Sequence, residues 1–179
     1  PECRVGGVFG YTSSNVSVNT NIGTTTAAAS STAVISKVDV LATGVTTEQN
    51  APEQYMGAGG VVGRADYGVI SMSNVRIDAE DGTEAATIGD KTGGNSKIRN
   101  VGGLIGEVTS GGNPNTYWFE DCSIKNMNVA VTSQCSGGLI GYYYSNVNIT
   151  CNNIAIENAT IKGSWSGGLL GAINRGSDV

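Results

Sequence analysis

Side chains able to do chemistry are few in this chain, and their spacing is loose. No histidine occurs among the 179 residues. That excludes a His-Glu-x-x-His zinc site and any Ser-His or Cys-His nucleophile pair within them. Carboxylates remain. Glu120 and Asp121 are adjacent, and Asp78, Glu80, Asp81, Glu84 and Asp90 share one acidic stretch. Carboxylates and basic residues together can cleave polysaccharides, but acidic runs ordinarily sit in water, and we read these as solvated. Calcium finds no standard loop here: counted from Asp78, the twelfth position, where an EF-hand carries Glu, is Gly89. Thr24-Thr25-Thr26 has no counterpart at a repeating spacing, as an ice-binding rank would require. Neither enzymatic activity nor a metal or other cofactor is expected. Two features suit recognition instead. Tyr142-Tyr143-Tyr144 would leave one or two rings outside if it lies on a strand. Sequons begin at Asn15, Asn148 and Asn158, which are the candidate glycosylation sites.

The elements that hold these groups are written in the composition. Gly is 27 of 179 residues, Pro only 3, and charged residues are 14%. Asn, Ser and Thr take the place of charge, which suits tightly turned β-structure. A net charge of −5 with no basic cluster argues against nucleic acid and anionic membrane as partners. No stretch approaches 18 apolar residues, so no membrane insertion is expected.

One phrase, Gly-Gly-apolar-apolar-Gly, recurs five times. Its glycines are Gly6, Gly7 and Gly10, then Gly59, Gly60 and Gly63, then Gly102, Gly103 and Gly106, then Gly137, Gly138 and Gly141, and last Gly167, Gly168 and Gly171. The intervals are 53, 43, 35 and 30 residues. Self-similarity at this period marks a solenoid, and so dense a run of glycine disfavours helix by about 1 kcal/mol per residue. The fold class is therefore all-β, a parallel β-helix or β-solenoid of about five coils with loop insertions. Residues 1–179 form a single repeat domain, which we expect to be a fragment of a longer array. Five coils at roughly 4.8 Å each make a rod about 24 Å long.

Two more elements follow each phrase. The first is an alternating strand, at Val16 and Val18, Ile70 and Met72, Tyr117 and Phe119, and Val147 and Ile149. The second reads apolar-x-apolar-x-x-x-x-apolar, at Val38, Val40 and Val45, at Cys122, Ile124 and Val129, and at Ile154, Ile156 and Ile161. Repeat two keeps only Val75 and Ile77. Asn126 and Asn158 fall at one place in this element and mark a corner. This gives three strands per coil. Thr20–Thr32, Glu80–Lys97 and Ser110–Asn115 are expected to be surface loops and turns.

The phrase GGLIG, within repeats of this length, resembles the GLUG motif of bacterial and protist surface proteins, and its five copies span the chain. The resemblance implies an extracellular β-solenoid, serving as an adhesin stalk or as an accessory part of a secreted peptidase. Val8-Phe9 and Val61-Val62 depart from the leucine-bearing pair. A structural or adhesive segment at the cell surface is the expected function, with further repeats or other subunits of the same assembly as partners and a surface glycan or protein as possible ligand. The alternative is a non-catalytic accessory or carbohydrate-binding β-helix of a secreted enzyme.

An oxidising compartment permits disulfides among the four cysteines. Cys122 takes the inward place of Ile154 one coil on, and Cys151 continues the inward series of Val147 and Ile149. A Cys122–Cys151 bridge across neighbouring coils therefore fits the spacing. Cys3 and Cys135, which precede the first and the fourth phrase, should not pair.

Overall fold

The computed structural model of the chain describes residues 4–12, 16–19, 33–36, 40–41, 56–66, 69–78, 86–90, 98–109, 115–132, 134–144 and 147–174. Among them there are 22 strands and no helix. The first coil holds β1 (Arg4–Gly6), β2 (Phe9–Thr12), β3 (Val16–Asn19), β4 (Ala33–Ser36) and β5 (Val40–Leu41). The second holds β6 (Met56–Gly59), β7 (Val62–Ala65), β8 (Val69–Ser73), β9 (Val75–Asp78) and β10 (Ala86–Gly89). The third holds β11 (Ile98–Gly102), β12 (Ile105–Val108), β13 (Asn115–Glu120), β14 (Ser123–Lys125) and β15 (Met127–Ala130). The fourth holds β16 (Cys135–Gly137), β17 (Ile140–Tyr144), β18 (Val147–Asn152), β19 (Ala155–Glu157) and β20 (Thr160–Lys162). A fifth coil begins with β21 (Trp165–Gly167) and β22 (Leu170–Asn174).

Each strand from β1 to β17 pairs in parallel with the strand five places further along. The first sheet runs β1-β6-β11-β16-β21 and the second β2-β7-β12-β17-β22. The third runs β3-β8-β13-β18, the fourth β4-β9-β14-β19 and the fifth β5-β10-β15-β20. The expected all-β parallel solenoid is the observed architecture. Its coil has five strands rather than three, because the corners expected at the glycine phrase and at Asn126 and Asn158 each divide their element into two strands.

The glycine phrase is the corner between the first and second sheets. At its centre Val8, Val61, Leu104, Leu139 and Leu169 stack in one rank. Each of the first four donates its amide to the carbonyl of the next, at 3.1, 3.0, 2.9 and 2.9 Å. Sterics explain the glycines. A Cβ on Gly103 would collide with the Gly138 carbonyl of the next coil and come within 2.9 Å of Ile124 Cδ1. A Cβ on Gly106 would lie 2.5 Å from the Ala58 amide nitrogen of the first sheet. One glycine lets coils stack, and the other lets two sheets close on each other.

Asn126 and Asn158 do form the expected corner, between the fourth and fifth sheets, with φ of 55° and 49°. Asn tolerates this left-handed backbone better than most residues. A second corner of the same kind joins the third and fourth sheets through Asn74, Asp121 and Asn153, at φ 56°, 52° and 51°. Side chains tie successive coils at both corners: Asn153 Nδ2 donates to Asp121 Oδ1 at 2.6 Å, and Asn158 Nδ2 to Asn126 Oδ1 at 3.3 Å.

Inside, Leu104 and Leu139 from the corner meet Ile70, Met72, Tyr117 and Phe119 of the third sheet. Ile77 and Ile124 of the fourth and Ile88 and Val129 of the fifth complete one continuous core. Full burial of such a side chain contributes roughly 1.5–3 kcal/mol.

The register corrects three expectations. Ile35 pairs with Ile77, and Val40 pairs with Ile88. The first coil therefore reads Ala33, Ile35 and Val40 where Val38, Val40 and Val45 were expected. Glu80–Lys97 is not all loop, since Ala86–Gly89 within it forms β10 and buries Ile88. The insertion splits the repeat pattern and hides its third apolar position. In the fourth coil Ile149 pairs with Tyr117 and Cys151 with Phe119, two residues further on than the Val147 and Ile149 alignment. Thr20–Thr32, Val38 and Val45 lie outside the described residues.

Candidate functional site

Two ranks of side chains flank the glycine corner. Two residues before each phrase, the first sheet presents Arg4, Gly57, Asn100, Cys135 and Trp165 in register. Directly after each phrase, the second sheet presents Tyr11, Arg64, Glu107, Tyr142 and Ala172. The two ranks face each other. A Cβ on Gly57 would sit 3.3 Å from Glu107 Cβ, and Asn100 donates a hydrogen bond to the Glu107 carboxyl. Between them lies a groove of about 750 Å³, lined by Arg64, Arg99, Asn100, Glu107, Tyr142 and Trp165 among others.

The electrostatics of the groove differ from one carboxylate to the other. Glu107 is 4% exposed, and its Oε2 has no hydrogen-bond partner. Burial pushes its carboxyl above the ordinary value, against the pull of Arg64 and the Asn100 hydrogen bond. Asp66, just beyond β7, is half-buried. Burial opposes its charge too, but hydrogen bonds from Thr109 Oγ1 at 2.6 Å, Arg64 Nε at 2.5 Å and Tyr11 OH at 2.8 Å outweigh that and hold its carboxyl low. The Arg4 guanidinium lies 4.4 Å from the centre of the Tyr11 ring. The groove is lined by a carboxyl with one buried oxygen that lacks a donor and by two aromatic residues.

The residues singled out from sequence fall elsewhere, with one exception. Tyr142 lines the groove while Tyr143 turns into the core, as alternation requires. Glu120 accepts from Asn152 Nδ2 at 3.3 Å, and Asp121 is the corner residue already described. Asp90 is buried and accepts from Thr132 Oγ1 at 3.2 Å. Glu80, Asp81 and Glu84 lie outside the described residues, as does Asn15. Asn148 and Asn158 are exposed. Among the described residues no three His, Cys, Asp or Glu side chains converge as metal ligands, and no helix is long and apolar enough to cross a membrane.

The expected Cys122–Cys151 bridge is not formed, and Cys122, Cys135 and Cys151 are free thiols. Ile154, not Cys151, stands over Cys122: Ala155 pairs with Ser123 and donates its amide to the Cys122 carbonyl at 3.0 Å. Cys122 Sγ instead has the Met72 and Glu120 carbonyls at 3.4 and 3.3 Å as acceptors for its single proton. Burial raises all three thiols, that of Cys135 to about 11 with Glu107 adding to the effect. They are poor nucleophiles at neutral pH. Cys3 lies outside the described residues.

At one end of the stack the last coil lies open. Leu169, Trp165 and Ile173 are 47%, 60% and 58% exposed. At the other end, Val8 in the corner between the edge strands β1 and β2, and Phe9 on β2, are also exposed. A Cβ on Gly168 would meet nothing within 4 Å, whereas Gly60, Gly103 and Gly138 each lie against a carbonyl of the next coil.

No protein-family model matches the chain, and no curated protein or solved structure does so either. The resemblance to GLUG-motif repeats thus rests on the phrase itself.

Proposed function

We propose that the chain is a structural or adhesive β-solenoid segment of a secreted or cell-surface protein or filament, of the kind the GLUG resemblance implies. The observation that carries this reading is the open last coil. Its strands repeat the register that every inner coil uses to accept a neighbour, and the place at Gly168 is vacant where inner coils receive a carbonyl. A further coil fits there, whether from more repeats or from another subunit of the assembly, and the first coil of a second copy has the matching pattern. Gly6 would follow Gly167, Val8 would follow Leu169, and the Arg4 guanidinium would follow Trp165, a favourable cation–π pair. Such a head-to-tail contact does not close on itself and builds a rod. An open β-edge with apolar residues invites this addition.

The extracellular setting is supported by the composition and by exposed sequons at Asn148 and Asn158. Asn158 sits on a corner and Asn148 on an outer strand face, so a glycan at either would leave the core intact. Sedimentation equilibrium over a hundredfold concentration range tests the assembly. Reversible end-to-end association, abolished by Leu169→Lys with Ile173→Lys, is expected. A monodisperse monomer at every concentration would sink the reading.

A further inference from the structure

We infer that the groove between the first and second sheets binds a neutral oligosaccharide, with Glu107 and Asn100 hydrogen-bonding its hydroxyls and Trp165 and Tyr142 packing against its rings. The inference starts from Glu107. A carboxyl oxygen that is buried and lacks a donor costs about 1–3 kcal/mol or more. Proteins seldom leave such a group unanswered unless the site has a use for it. Asn100 already answers one demand of this carboxyl, and Glu107, though its Oε2 is itself shielded from solvent, lines an open groove rather than a closed core. The missing partner is a hydrogen-bond donor from outside the chain.

The charge of the lining narrows what that donor is. A cationic ligand would meet the guanidinium groups of Arg64 and Arg99. An anionic ligand would meet the buried Glu107 carboxyl, in a chain whose net charge is −5. A neutral molecule that carries many hydroxyls meets neither difficulty. It also presents C–H faces suited to flat aromatic rings, and Trp165 is well exposed to receive one. The size agrees: about 750 Å³ is within the usual 300–1,000 Å³ of ligand sites. The shape agrees as well. Arg64 belongs to the second coil and Trp165 to the fifth, so the groove runs three coil spacings, roughly 14 Å, along the axis. That is a slot for a chain of linked rings rather than for a single one.

All the groove's residues come from one copy, so this inference stands apart from the head-to-tail assembly. In a rod the groove would continue across the junction from Trp165 to the next Arg4. The test uses the whole chain at a concentration where it is monomeric by sedimentation. It is presented to an array of neutral hexose and N-acetylhexosamine oligosaccharides, and the strongest binder is measured by calorimetry. Binding is expected, with a loss of tenfold or more in Trp165→Ala. Glu107→Gln should lose as much, since its amide presents a donor where the ligand needs an acceptor. Trp118→Ala, an exposed tryptophan on the third sheet, should leave affinity unchanged. Circular dichroism confirms that each variant is folded. The inference is overturned if no neutral oligosaccharide binds, if charged glycans alone bind, or if affinity falls with Trp118→Ala and not with the groove variants.

Discussion

The third coil and the two after it carry nearly the same message, and equivalent residues in them have different fates. Ile124 and Ile156 occupy one register position, and so do Leu104, Leu139 and Leu169. Ile124 and Leu104 are wholly buried, whereas Ile156 is half-buried and Leu169 is 47% exposed. The difference lies in what covers them. A coil of a solenoid does not own its core; it shares half of it with the coil above.

The strongest way to break this comparison is to place a methyl group on equivalent glycines. Gly103→Ala drives a Cβ into the backbone of the next coil, which no rotamer change relieves, and should cost about 3 kcal/mol or more in urea unfolding. Gly168→Ala meets open space and should change stability by less than about 0.5 kcal/mol. Equal losses would mean that the stacking register is wrong. Next in size is Ile124→Ala against Ile156→Ala. The first empties a closed core and should cost about 4 kcal/mol, the second about 1–2 kcal/mol because its cavity opens to solvent. If the assembly proposed above forms, the Leu169 and Gly168 positions should become as sensitive as their inner counterparts.

A smaller contrast lies within the covered coils. Glu107, whose folded carboxyl is raised, weakens the fold when ionised, and that penalty disappears as pH falls toward 4.5. Asp66, held low by Thr109, Arg64 and Tyr11, does the reverse: its contribution is present above 3.8 and is lost as pH falls through its lower folded value. Glu107→Gln should therefore gain about 1 kcal/mol at neutral pH, and Asp66→Asn should lose about 1 kcal/mol, partial exposure having been allowed for. Both effects should fade in acid, Glu107's first. Denaturant midpoints across pH 3–7 would decide, and effects of the same sign would contradict the geometry of the groove.

The smallest effect is expected at Tyr117, whose hydroxyl is buried without a partner in the rank of Ile70 and Ile149. Tyr117→Phe should be neutral or stabilising by up to about 1 kcal/mol. A clear loss in a thermal melt would reveal a partner for that hydroxyl.

What could be read from sequence follows the physics of the repeat. The glycine phrase was legible because sterics allow no substitute where backbone meets backbone, so its glycines recur unchanged. Asn126 was legible because Asn158 repeats it. The corner at Asn74, Asp121 and Asn153 was not, since Asp and Asn alternate there and the strand before it reads on smoothly. Ile88 was hidden by the insertion that separates it from Ile77. The groove was the least visible. Its members differ in every coil, as Arg64, Glu107, Tyr142 and Ala172 show, and leave no periodic trace. Their place beside an invariant phrase was the available signal.

The way the coils hydrogen-bond has a mechanical consequence. The ladders run along the stack, so tension on the axis loads them end-on and peels one coil at a time instead of shearing all strands together. Each release should feed out a length set by the spacing of the phrases, which ranges from 30 to 53 residues. At roughly 3.4 Å per residue these are steps of about 100 Å to about 180 Å. In a single-molecule pulling trace the insertions would be read as distance, the longest step marking the coil with the longest loop.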